Sequence, residues 1–143
     1  MTQHGHWTAG GLALTIAVAA AVACGGDKIT GPAACPVYRG GIVPAGGSLV
    51  GTYNLVSLCE DTLPSLPAVG TVTITADSFN ATITSPPLPI PPGSYTLAAT
   101  DSIYVVLLVG GTFQGTLRLR NDTLAVSGAA GSLKLSFVAT RAP

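Results

Sequence analysis

Charge is scarce in this chain: six basic and six acidic residues, 8% of the total, balance to zero net charge and form no run of either sign. A nucleic-acid partner is thereby excluded as an expectation, since phosphate backbones are held by clustered Lys and Arg. Arg118 and Arg120 share one strand face, but two cations make a small footprint and read as solubilising groups. Both histidines (His4, His6), the sole Trp (Trp7) and the sole Met (Met1) lie within the first seven residues. Everything after Cys24 therefore lacks histidine, and with it the usual general base, the usual partner of a nucleophilic Ser or Cys, and the commonest transition-metal ligand. No enzymatic activity, metal or cofactor is expected. Glu60 and Asp61 are adjacent carboxylates that point apart on an extended chain, whereas a glycosidase pair faces one substrate. Asp77, Asp101 and Asp122 read as turn residues.

What is present begins with an apolar run, Leu12 to Ala23, LALTIAVAAAVA, stopped by Gly25, Gly26 and Asp27. It is shorter than the roughly 20 residues that span a bilayer. It has the length and small-residue ending of the hydrophobic region of a signal peptide, so residues 1–23 are expected to be a helical leader that is removed. Ala21-Val22-Ala23-Cys24 resembles the lipobox of bacterial lipoproteins, in which the cysteine is acylated and becomes the new terminus. The resemblance implies lipidation at Cys24 and an anchor in a membrane of the bacterial envelope. Two features depart from that pattern: Ala21 stands where Leu is commoner, and the leader carries no Lys or Arg. The alternative is plain secretion or a periplasmic location after cleavage at Ala21-Val22-Ala23. Gly25, where many inner-membrane lipoproteins carry Asp, favours the outer membrane by analogy.

Three cysteines leave an odd one in an exported chain; with Cys24 assigned to lipid, Cys35 and Cys59 remain as an expected disulfide. From Cys24 to Gly47 the composition, rich in Gly and Pro without periodicity, is that of an extended, flexible tether.

Beyond Gly47, residues 48–143 alternate apolar and polar positions, and no segment has a helical period. In TFQGTLRLR, Phe113, Gly115, Leu117 and Leu119 share one face, and Gln114, Thr116, Arg118 and Arg120 share the other. Val72, Ile74 and Ala76, then Phe79, Ala81 and Ile83, repeat the pattern across a turn at Asp77-Ser78. Leu124 and Val126 follow a turn at Asn121-Asp122, and Leu133, Leu135, Phe137 and Ala139 form the last strand. Gly110-Gly111 predicts a two-residue hairpin. About eight strands joined by short turns predict an all-β, up-and-down antiparallel barrel, with a β-sandwich as the alternative. The segment SPPLPIPPG, residues 85–93, stands out as a stiff loop able to cap a barrel mouth. The run from Ile103 to Val109 is apolar on both faces, and an exposed half of it would be an interaction patch.

The opening GTYNLVSL and the closing GTFQGTLRLRNDTLAVSG with LKLSFVATR resemble the lipocalin-like barrels of bacterial lipoproteins. In that family the first strand carries Gly-x-Trp, and an arginine near the last strand covers the ring. Here Gly51-Thr52-Tyr53 has Tyr in place of Trp, and Arg141 is the one candidate for the covering residue, although a solvated terminal arginine is the preferred reading. The resemblance implies a small hydrophobic ligand, with Tyr53, Phe79, Tyr95, Tyr104, Phe113 and Phe137 as lining residues. An eight-stranded barrel is just wide enough either to be filled by side chains or to hold one small ligand. Filling is the expectation for strands this short. The leading reading is accordingly a structural or protein-interaction module docking an envelope protein, with ligand binding as the alternative.

Overall fold

The computed structural model describes residues 34–61 and 63–143; the leader, its expected signal helix and the lipidation site Cys24 lie outside them. Eleven strands follow in order: β1 (Gly41–Val43), β2 (Gly51–Glu60), β3 (Leu66–Pro67), β4 (Val69–Ile74), β5 (Ser78–Ser85), β6 (Pro87–Leu88), β7 (Gly93–Leu97), β8 (Ser102–Leu107), β9 (Thr112–Arg120), β10 (Thr123–Ala130) and β11 (Leu133–Arg141). Eight of them close into an antiparallel barrel in the order β2-β4-β5-β7-β8-β9-β10-β11. Both β8–β9 and β11–β2 are hydrogen-bonded, so the sheet joins its own edge and no sandwich forms. Closure removes the unpaired edges that an open sheet of these strands would expose.

The alternation read from the sequence sets the inside and the outside. Leu117, Leu119, Leu124, Val126, Val72, Ile74 and Ile83 are buried in one cluster, while Arg118, Arg120, Thr71 and Thr73 face out. Ala76 is exposed, because β4 ends at Ile74 and the turn takes Thr75 to Asp77. A bulge in β2 changes the phase: Ala139 pairs with Leu55 and Val138 with Ser57, leaving Val56 as the extra residue. Tyr53 and Leu55 point inward before it, Leu58 points inward after it, and Cys59 is turned to the outer face.

The hairpin expected at Gly110-Gly111 is longer than two residues. β8 stops at Leu107 and β9 starts at Thr112, so Leu108 to Gly111 form a four-residue loop, with both glycines at positive φ. The hydrogen bonds close the turn on Leu107: its N–H donates to Gly111 C=O at 3.1 Å, and Gly110 N–H donates to Leu107 C=O at 3.3 Å.

Part of the stretch expected as a tether lies along the barrel. Cys35 is disulfide-bonded to Cys59, the Tyr38 N–H donates to Ser127 Oγ at 2.7 Å, and β1 pairs in parallel with β9 through Gly41–Arg118, Ile42–Leu119 and Val43–Arg120. β8 pairs with β9 only from Thr112 to Thr116, and β1 occupies part of the edge that remains. Beneath this strap, Cys59, Ser136, Ser127 and Thr116 are cross-strand neighbours on four successive strands. Three of them are buried on the outward side of the sheet, where Ser127 also hydrogen-bonds Thr116. Small polar residues at outward positions are what a covering segment requires.

Candidate binding cavity

The two ends of the barrel differ. At one end the β9–β10 turn, the start of β2 and the end of β11 come together around Arg141 and Tyr53. The Tyr53 ring is completely buried, and its hydroxyl donates to Leu49 C=O at 2.8 Å. The Arg141 guanidinium lies 4.9 Å above the ring centroid. Its nitrogens donate to Val50 C=O at 2.7 Å, Ser48 C=O at 3.0 Å and the Tyr53 hydroxyl at 2.9 Å. Arg141 is thus a covering residue, which corrects the preferred reading of a solvated terminal cation. Its last contact, with Asp122 at 3.7 Å, is an exposed ion pair. Gly51 is required here, because a Cβ at that position would collide with the Arg141 guanidinium. Burial raises the Tyr53 phenol above its ordinary value; the charge and hydrogen bond of Arg141 counter this in part, while Tyr95 and Asp122 add to it.

Above this plug the interior is not filled. An apolar cavity of about 210 Å³ extends from Leu49 to the opposite end, which corrects the expectation of a packed interior. The lining comes from all eight barrel strands, with Leu55, Val72, Phe79, Val105, Phe113 and Phe137 among its residues. Two inner-face glycines help to explain the space. Gly115 and Gly128 are cross-strand partners, so neither contributes side-chain volume, and a Cβ on Gly128 would run into the Phe113 ring.

Of the six aromatic residues expected to line a ligand site, four do: Phe79, Tyr95, Phe113 and Phe137. Tyr53 sits in the plug instead. Tyr104 is on the outward face of β8, between the inward Ile103 and Val105, and pairs with Thr96 and Gln114. Tyr95 is the lining residue with a side-chain polar group, and its hydroxyl is engaged, donating to Thr75 C=O at 2.8 Å. Burial raises its phenol, and the Asp77 charge raises it further. Among the described residues, none therefore presents a free polar side chain to the cavity.

The Pro-rich segment forms one wall. β5 pairs with β7 only through Ser78–Ser94 and Phe79–Gly93. Higher up, β5 is flanked by β6, with Ile83 opposite Leu88 and Thr84 opposite Pro87. Between the two, Pro89 to Pro92 bridge the gap, and Leu88, Pro89, Ile90 and Pro91 all face the cavity. Proline has no N–H, so this stretch closes the wall by packing rather than by a ladder of hydrogen bonds. The sequence marks this loop; its place in the wall follows from the short β5–β7 pairing.

The rim beside it is apolar and exposed. In the run from Ile103 to Val109, Val105 is buried and Val106 is outward, whereas Leu108 and Val109 at the loop tip expose 77% and 80% of their surface. Among the described residues no three His, Cys, Asp or Glu side chains come together as a metal site. Comparison of the chain with protein-family models, curated proteins and solved structures finds no match.

Proposed function

We propose that this protein is a lipid-anchored lipoprotein of the bacterial envelope whose barrel holds a small, neutral, apolar molecule. The single observation that carries the ligand reading is the apolar cavity of about 210 Å³. A dry apolar cavity of roughly 150 Å³ in a protein core takes up benzene, so this space admits a molecule of that class or somewhat larger. It is smaller than the roughly 300–1,000 Å³ of pockets that enclose drug-sized ligands. A single ring or a short alkyl segment fits these limits, with any polar head left outside, since no free side-chain donor or acceptor faces the space.

The Tyr53–Arg141 plug, with Gly51 two residues before the ring, supports the lipocalin-like reading of the barrel, and the Cys35–Cys59 disulfide suits an exported protein. The lipobox-like Ala21-Val22-Ala23-Cys24 supports the anchor. A docking module for an envelope protein is the second reading, favoured by the exposed Leu108 and Val109.

The ligand reading is tested by melting the protein in toluene-saturated buffer and in an equimolar amount of glycerol. A ligand at 100 times its Kd raises native stability by about 2.7 kcal/mol. Toluene should therefore raise the melting temperature by several degrees and glycerol should not. Ala81→Phe, which places a ring in the cavity, should abolish the toluene effect. An equal response from parent and variant would eliminate the cavity as the site.

A further inference from the structure

The cavity mouth, the Cys35–Cys59 disulfide and the exposed rim lie at one end of the molecule. β2 ends there at Glu60, so the Cys35–Cys59 disulfide brings the N-terminal chain out at the mouth, away from the Arg141 plug. The loop carrying Leu108 and Val109 is at the same end, because β9 runs from Thr112 at the mouth to Arg120 beside the plug. Cys24 precedes Cys35 by 11 residues, a span of at most roughly 40 Å when extended.

Charge is partitioned in the same sense. Between Asp77 and Arg118 the sole charged residue is Asp101, which lies in the β7–β8 connection at the plug end. The Pro-rich wall and the Leu108–Gly111 loop thus form a charge-free arc of the rim. Among the described residues, the charges at the mouth, Glu60, Asp61 and Lys134, are on the opposite side, where the Asp61 carboxylate accepts from the Lys134 N–H.

We infer that this rim rests on the surface of a lipid bilayer, with Leu108 and Val109 inserted at the boundary between headgroups and acyl chains and the cavity mouth facing the membrane. The inference rests on the proposed lipid anchor at Cys24, which tethers the barrel by its mouth end. It also names the source of the ligand: an apolar solute or chain end drawn from the hydrocarbon phase enters without crossing water. The apolar tip and the lack of charge suit insertion; a wholly solvated loop has no use for two adjacent aliphatic side chains at 77% and 80% exposure.

The test uses the full chain with Trp7→Phe and Leu108→Trp, which leaves one tryptophan whether or not the leader is removed. The protein is reconstituted in phosphatidylcholine vesicles brominated at carbons 6 and 7. Trp at position 108 should lose most of its emission to the bromines and shift to shorter wavelength. A companion with Trp7→Phe and Ala76→Trp, in the β4–β5 turn beside the plug, should remain unquenched. Vesicle-bound protein with position 108 as water-accessible as position 76 overturns the docking and leaves the anchor standing. Absence of vesicle binding also overturns the docking, and the mass of the mature N-terminus then decides separately whether Cys24 is acylated. A shift at position 108 without vesicles that grows with protein concentration assigns the rim to a second copy of the chain and overturns the membrane assignment.

Discussion

Replacing Arg141 by alanine removes one side chain that ties three parts of the plug together. The guanidinium gives hydrogen bonds to two main-chain carbonyls and to the Tyr53 hydroxyl, and it stacks 4.9 Å from the ring centroid. Hydrogen bonds from a charged donor contribute about 1.5–3 kcal/mol each, but Val50 and Ser48 are exposed, so water replaces much of theirs. The Tyr53 hydroxyl keeps its bond to Leu49, which limits the loss there. A partly exposed cation over this buried ring adds about 0.5–2 kcal/mol. The Asp122 contact adds little, as exposed ion pairs contribute at most about 1 kcal/mol. The expected loss for Arg141→Ala is about 3 kcal/mol, which lowers the melting temperature by about 10 °C for a domain of this size. Differential scanning calorimetry measures it directly. Gly51→Ala supplies an internal check, because its Cβ would expel the guanidinium. The two substitutions should each destabilise and should together cost less than their sum, because they share the Arg141 contact while the strain of alanine at the positive φ of Gly51 persists. Additive effects, or a drop of under 2 °C for Arg141→Ala, would refute the covering role.

Two further outcomes follow from the strap and the buried phenols. Reducing the Cys35–Cys59 disulfide, which closes a 24-residue separation, should lower stability by about 3 kcal/mol in the chain-entropy model. In the native protein, alkylation without reductant should leave the mass unchanged, whereas two added groups would deny the bond. Alkaline pH should also weaken the fold. The Tyr53 and Tyr95 phenols are raised in the folded state by burial, so the unfolded chain ionises first. Their contribution is fully present below the ordinary phenol value of about 10 and is lost as pH rises through the higher folded values. Urea titrations from pH 9 upward should show stability falling with pH, and Tyr53→Phe should flatten that slope even though it lowers stability at neutral pH; an unchanged slope would remove Tyr53 from the account.

Most of the barrel wall is legible in the sequence because nearly every strand, β8 excepted, has one wet face. Phe113, Leu117 and Leu119 against Gln114, Arg118 and Arg120 fix both the strand and its orientation, and Asn121-Asp122 is the turn it was read as. The contents of the barrel were not legible, because interior volume depends on register. Six aromatic rings suggest a filled core until Tyr53 is found in the plug, Tyr104 outside and two inner glycines opposite each other. Arg141 was read as a solvated terminus for a related reason: its acceptors are the carbonyls of Ser48 and Val50, and main-chain groups leave no mark in a sequence pattern. The strap was missed because Gly and Pro dominate its composition, yet a signal was there. The outward positions Ala125 and Ser127 of β10 are small, where an exposed strand face ordinarily carries larger polar side chains. The loop at Gly110-Gly111 closes on Leu107 through main-chain bonds to both glycines, which periodicity cannot register.

The pairing of the first and last barrel strands governs when the molecule becomes a molecule. Tyr53 and Arg141 are separated by 88 positions, and Tyr38 and Ser127 by 89, so neither closure nor docking of the strap can begin until nearly the whole chain has been made. Non-local contacts of this kind are slow to form because loop-closure entropy is spent before they stabilise anything. The cysteine pair, 24 positions apart, is free of that delay. Oxidation can therefore precede barrel closure, so that the earliest residues of the chain wait beside β2 for strands synthesised last to arrive beneath them.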